Sequence, residues 1–264
     1  MNTSMISPIG EHLRIWRQRR HLSQLDLATE AEISTKHLSF LETGRSKPSR
    51  DMVLHLSQHL RIPLREQNTL LQAAGFAPQF SSGSLEGADM ASARRTIDLL
   101  LKAHEPFPAI AVDRHWNLVM ANAAVPPLMD GAASWLIEPP INVIRLSLHP
   151  EGIAPKIVNY VEWKSHLLER LNRQFELTAD PVIGAMIEEF KGYPVSDEAR
   201  RFQGSNRGLD RNIAIPMLIR TDQGLMNFIS TTTVFGTPID VTLSELAIET
   251  FFPADNATAK ALAE

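Results

Sequence analysis

Through the first eighty residues, apolar side chains recur at helical spacing with no strand-like alternation between them. Ile9, Leu13 and Trp16 fall at i, i+4 and i+7, one face of a helix. Ser23 is placed to cap a second helix carrying Leu25, Leu27 and Ala28; Glu32 and Ile33 break it, and Ser34 caps a third, at 34–42, with Leu38 and Leu41 inside. Gly44 follows, where left-handed backbone costs glycine least. Ser49 opens a fourth helix, RDMVLHLSQHL, and LREQNTLLQAAG supplies a fifth that again stops at glycine. Leu25, Ala28, Ile33, Leu38 and Leu41 are expected in the core. The second and third helices are joined by a minimal turn.

The pattern then changes. SSGSLEGADMAS, residues 81–92, has no apolar periodicity and reads as a linker, which places a helical domain at 1–80 and a second domain at 93–264. RRTIDLLLKAH predicts an amphipathic helix with Ile97, Leu100, Leu101 and His104 on one face. AIAVD and NLVMA, joined by RHW, predict strand–turn–strand. PINVIRLSLHPEG reads as a short helix halted by Pro150 and Gly152. PKIVNYVEWKSHLLERLNRQF reads as a long one, its stripe being Ile157, Val161, Leu168, Leu171 and Phe175. DPVIGAMIEEF begins with Asp180 as cap and Pro181 in the first turn. Two strand-like runs flank DQG as a hairpin, and LAIETFFPAD adds a last strand. Strands, then helices, then strands imply an α+β layer, with helices on one side of an antiparallel sheet.

Charge sharpens the division. Residues 1–80 hold 10 Lys and Arg against 7 Asp and Glu, whereas the remainder holds 16 against 23, so a mildly basic module precedes an acidic one. The absence of cysteine excludes disulfides, iron–sulfur clusters and cysteine-ligated zinc. No apolar run reaches the ~18 residues of a membrane span, and no secretory signal is visible, so a cytoplasmic address with no membrane partner is expected. GxSxG, HExxH, phosphate-binding glycine loops and paired metal-ligand spacings are all missing, which argues against an enzyme and leaves no catalytic or metal residue to name.

SQLDLA at 23–28, Ile33-Ser34 and LETGRSKPS at 41–49 match in register. On them, residues 9–75 resemble the lambda-repressor-like, Xre/Cro-type helix-turn-helix family. The resemblance implies an all-α five-helix DNA-binding domain whose third helix enters the major groove. Carried over, Ser34, Thr35, Lys36, Ser39 and Phe40 lie at or near base edges, and Gln24 holds a phosphate or an outer base. Arg45 and Lys47 contact the flanking backbone, positioning the domain without specifying sequence. Arg17 and Glu42 match the family's ion pair between the first and third helices. Phe40 departs from the polar residue common at its position, and either meets a thymine methyl or covers its own neighbours. Arg19 and Arg20 read as a solvated face. Such domains usually pair on two half-sites, so double-stranded DNA and a second copy of the chain are the expected partners.

AVDRHWNLVMAN, LHPEGIAPKIVNYVEW and STTTVFGTPIDVTLSELAIETFFPAD resemble the ligand-binding domain of MmyB-like transcription regulators over residues 93–260. That resemblance implies a PAS-like fold with a pocket for a small apolar ligand, a fatty acid being the implied class, and no other cofactor. A tube for it would draw on Trp116, Leu118, Met120, Leu146, Trp163, Leu167, Phe228 and Phe235. Asn142, Arg145 and His149, three and four apart, are candidates for the carboxylate end. Asn122 can equally bond nearby backbone. Two alternatives stand beside this one: a C-terminal domain that only pairs the heads, and a haem sensor using His115 or His149.

Overall fold

The structure is a computed structural model that describes residues 8–83, 87, 90–205, 215–236 and 240–263. The chain divides into two compact units, Met1–Gly83 with Glu176–Thr178 and Pro238–Ser244, and Ser84–Phe175 with Ala179–Thr237 and Glu245–Glu264.

The first unit is built on five helices: α1 (Pro8–Arg19), α2 (Gln24–Glu30), α3 (Thr35–Glu42), α4 (Arg50–His59) and α5 (Leu64–Ala73). Ser23, Ser34 and Ser49 cap α2, α3 and α4 by accepting from the backbone N–H of Asp26, His37 and Met52. Each of the five ends in a left-handed residue followed by a bond back to the carbonyl five positions earlier: Leu22 to Arg17, Ile33 to Ala28, Arg45 to Phe40, Ile62 to Ser57 and Phe76 to Leu71. Gly44 and Gly75 hold the left-handed position after α3 and α5, but His21, Glu32 and Arg61 hold it after α1, α2 and α4. Leu13, Leu27, Leu38, Leu41, Leu56 and Leu70 fill the interior. Leu25, expected there, is 64% exposed. The stripe of α2 runs through Leu27, Ala28 and Ala31, and Leu25 stands about 200° round the helix from Leu27. Ile33 is half-buried.

α1 lies against the end of α3 at Gly10. A Cβ there would stand 2.5 Å from the Leu41 carbonyl oxygen and 2.6 Å from that of Glu42. Glycine admits this approach, and the approach lets Arg17 reach Glu42 through two bonds, Nε–Oε1 at 2.6 Å and Nη2–Oε2 at 2.9 Å. Arg17 Nη1 also donates to the Leu22 carbonyl. Arg20 is not a solvated cation: it donates to the carbonyls of Leu60 and Arg61 at the end of α4 and lies over the Trp16 ring.

The second unit carries α6 (Ala91–Ala103), β1 (Ala109–Val112), β2 (Leu118–Ala121), α7 (Val143–Leu148), α8 (Tyr160–Thr178), α9 (Pro181–Lys191) and α10 (Asp197–Ser205). β3 (Met217–Thr221), β4 (Gly224–Val234), β5 (Ala247–Pro253) and α12 (Asn256–Ala263) complete it, while α11 (Val241–Ser244) falls in the first unit. α6 opens inside the stretch expected as linker; residues 84–86, 88 and 89 of that stretch lie outside the described residues. The five strands form one antiparallel sheet, curled and ordered β2-β1-β5-β4-β3. Register places Ile110 opposite Glu249, and Ser230 opposite Phe251. The sheet face bearing Ile110, Val112, Met226 and Phe228 contributes to one core with α7, α8 and α9. This is the α+β arrangement expected.

Two helical faces of this unit differ from expectation. On α6, Ile97 and Leu101 are buried but Leu100 is 46% exposed. Ile157 precedes α8 and bridges to Ile219. The buried stripe of α8 is Tyr160, Trp163, Lys164, Leu167 and Leu171, so Val161, Leu168 and Phe175 lie at its margin. Lys164 is tolerated in that stripe because its ammonium donates to the Lys191 and Tyr193 carbonyls at the end of α9. Burial lowers its pKa below the ordinary lysine value.

Gly10→Ala is expected to lower stability by about 2 kcal/mol despite alanine's better helix propensity, because the atoms in the way are backbone. Urea denaturation of the two proteins measures it.

Candidate functional site

Two surfaces carry chemistry, one in each unit. In the first, α3 begins at Ser34, whose hydroxyl is engaged as a cap, and presents exposed Thr35 and Lys36 on its first turn. Ser39 and Phe40 follow, both half-buried. Two cations lie near the Phe40 ring, Lys36 Nζ 5.7 Å from its centroid and the Arg45 guanidinium also at 5.7 Å. Gly44 turns the chain so that the N–H groups of Arg45 and Ser46 bond the Phe40 carbonyl, which fixes Arg45 beside the helix. Lys47 is exposed two residues on. Gln24 is more constrained than expected: its amide donates to Glu42 Oε2 at 2.8 Å, joining it to the Arg17–Glu42 pair. That bond spends one of its donors and orients the rest of the amide.

In the second unit a cavity of about 100 Å³ lies between the sheet and the helices. Its apolar wall includes Trp116, Leu146, Trp163, Leu167, Ile110 and Phe251. Trp116 is delivered by the β1–β2 turn, where the Asp113 carboxylate accepts from the backbone N–H of His115 and Asn117 and Trp116 itself is left-handed, φ 66°. Its indole N–H donates to Gln174 at 2.8 Å, and the Trp163 indole donates to Ser147 Oγ at 2.9 Å, so both rings are pinned at their nitrogen edges. The polar part consists of Ser147, Ser230, Arg170 and Glu249. Arg170 bonds both oxygens of Glu249, at 3.0 Å through Nη1 to Oε2, and through Nη2 to Oε1; Nη2 also donates to Thr232 Oγ1. The guanidinium lies 4.3 Å from the centre of the Trp116 ring. Glu249 is 4% exposed, on a strand paired on both edges.

An all-helical head presenting α3, followed by a curled antiparallel sheet enclosing an apolar cavity, agrees with comparison against known families. A family described as MmyB-like transcription regulator ligand binding domain matches residues 93–264, more than half of the chain. The chain belongs to this family. A helix-turn-helix family matches residues 13–67, from within α1 into α5. Comparison with curated proteins returned no match. This MmyB-like protein is thus a DNA-binding transcription regulator with a ligand-binding C-terminal domain, and the matched families are regulatory ones. None of its described helices is long and apolar enough to cross a membrane.

Of the residues singled out by sequence in this MmyB-like domain, Trp116, Leu146, Trp163 and Leu167 line the cavity. Leu118, Met120, Phe228 and Phe235 do not: Phe228 is fully enclosed in the core, Leu118 packs at its edge, and Met120 and Phe235 are half-buried elsewhere. The expected carboxylate end lies outside the cavity wall. Arg145 is gripped by Glu189 through bonds of 2.6 and 2.8 Å, which raise the guanidinium pKa above its ordinary value and lower that of Glu189. Tyr193 also donates to Glu189, and burial with that bond raises its phenol pKa. Asn142 caps α7 by accepting from the Arg145 N–H, and it donates to the His115 carbonyl. His149 terminates α7 with its ring edge-on to Trp135 and Tyr193. Asn122 bonds backbone, accepting from Ala109 N–H and donating to the Leu101 and Phe107 carbonyls. His115 lies 2.8 Å from Asp180 and, like His149, does not line the cavity.

The polar residues that do line it were missed, although each left a trace. Arg170 continues the stripe of Trp163 and Leu167 at i+7 and i+3, a cation on an apolar face. Glu249 interrupts the strand AIETFF, two positions before Phe251.

For the head, Lys36→Ala is expected to relax preference among DNA sequences, at about 1–3 kcal/mol for the favoured site. Arg45→Ala should weaken binding to all sequences alike and reduce the salt slope by about one. Titrations with a specific and a random duplex at several salt concentrations separate the two.

Proposed function

We propose that the protein is a cytoplasmic, non-catalytic, homodimeric regulator that reads DNA with α3 and responds to an apolar ligand of the fatty-acid class held in the C-terminal cavity. The observation that carries the ligand reading is the cavity wall: two tryptophans with satisfied indoles and several aliphatic side chains enclose space that is polar at only four residues. Ser34, Thr35, Lys36, Ser39 and Phe40 are the residues proposed to face bases, with Gln24, Arg45 and Lys47 on the backbone. The argument for a dimer is one of contact number. A single head offers few groove-facing side chains, and two heads on half-sites about 34 Å apart double them.

At about 100 Å³ the cavity is smaller than the ~150 Å³ apolar cavity that holds benzene. A fatty chain therefore enters only a widened form of the domain. That requirement gives the ligand different affinities for two states, without which it shifts nothing. Haem is disfavoured as the occupant because neither His115 nor His149 reaches the wall.

Solvent extraction of gently purified protein followed by mass spectrometry should recover a fatty acid near one per chain. Added acids of eight to sixteen carbons should raise the melting temperature, by the equivalent of about 2.7 kcal/mol at a hundred times Kd. An empty extract together with an unmoved melting temperature would leave a domain that only pairs the heads. A Soret band in the purified protein would favour haem instead.

A further inference from the structure

Among the described residues, Arg170 and Glu249 are the only charged ones in the cavity wall, and each is bonded to the other. The polar end is therefore neutral as a whole. A cavity built to receive a carboxylate anion would offer a cation without a resident counter-ion. Here the guanidinium already faces a carboxylate on one side, gives a further bond to Thr232, and has an indole face on another side. Resting on the reading of this cavity as the ligand site, we infer that it accepts no net charge: a neutral head group enters as it is, and a carboxylic acid enters together with one proton.

The reason is electrostatic. An anion placed beside Arg170 stands within a few ångströms of Glu249 as well, in a site lined by apolar side chains. Two carboxylates cannot both stay ionised cheaply at such a distance, and one cation does not neutralise both. A proton taken from solvent restores neutrality, whether it rests on the ligand or on Glu249, and the two carboxyl groups then share the Arg170 fork as one coupled site. Ser230 lies next to this pair by register, on the strand position opposite Phe251, and supplies a hydroxyl that can donate or accept. An alcohol, amide or ester head group uses the same hydroxyl without the proton.

The neighbouring charges do not alter the balance. β1 and β4 bring no ionisable side chain to the cavity. On α8, His166 precedes Arg170 by one turn; burial, and then Arg170 itself, lower its pKa below the ordinary histidine value. Glu169 and Arg173, its remaining charged neighbours on that helix, are exposed.

The test compares decanoic acid with 1-decanol on the full-length protein by titration calorimetry at pH 7 and pH 8. One proton taken up per acid bound makes the affinity for decanoate fall about tenfold over that unit of pH, while decanol binds equally at both. Repeating the pH 7 titration in phosphate and in Tris, which differ in ionisation heat, should show uptake approaching one proton per decanoate and none per decanol. Glu249→Gln leaves Arg170 to pair with the ligand and should abolish the decanoate slope. Decanoate that binds equally at both pH values with no proton uptake overturns the inference and leaves the ligand reading standing. A slope that survives in Glu249→Gln overturns the role given to Glu249. Binding of neither probe removes the ligand reading and the proton coupling with it.

Discussion

The sheet of the second unit is closed from its middle by the strand that comes last in sequence, so the whole C-terminal architecture depends on β5 being in place. β5 pairs with β1 along one edge and with β4 along the other. It also carries Glu249 and Phe251 into the cavity, and its Phe251 carbonyl lies 3.0 Å from His104 Nε2 at the end of α6. Without it the β1–β2 and β3–β4 hairpins share no hydrogen bonds, Arg170 has no carboxylate, and the cavity has no floor. Such long-range pairings form only after loop-closure entropy has been met, which makes this unit the slower of the two to assemble by topology. The head is made of contacts closer in sequence.

Stability and the proposed recognition overlap in the head at Gln24 and Ser34. Gly10, Arg17 and Glu42 hold α1 against α3, the Schellman turns hold the helix ends, and Gln24 is tied into the same buried pair. The side chains proposed to face the groove are then a short set on a fixed frame. Within that set, Lys36 and Arg45 each lie 5.7 Å from the Phe40 ring centre, so both cations rest on one aromatic neighbour. A flexible polar residue there would leave them independently mobile.

Much of the fold was legible because the signals were local. The serine caps, the glycine stops after α3 and α5, the Asp180-Pro181 start of α9 and the DQG hairpin each announce themselves within four or five residues. What was not legible was set by distance in the chain. His21, Glu32 and Arg61 take left-handed backbone that only the packed helix ends make worthwhile. Leu25 looks apolar enough for the core, but the short α2 buries a different stripe. Arg145 has the charge and the helix position for an anion site, and Glu189, forty-four residues on, consumes both. Arg170 and Glu249 are seventy-nine residues apart, so their partnership exists only in the folded sheet.

Keeping Arg170 occupied also shapes what the cavity ignores. Small organic acids are abundant in any metabolising cell, and an unshielded arginine in a dry pocket would attract them all. With Glu249 as its resident counter-ion, Arg170 offers such molecules little gain, and a two- or three-carbon acid brings too few methylenes to displace anything. Each additional buried methylene contributes about 0.8 kcal/mol. On the proposed ligand reading, discrimination would rest on chain length rather than on the acid group, and the domain would gauge hydrocarbon in a background of soluble anions.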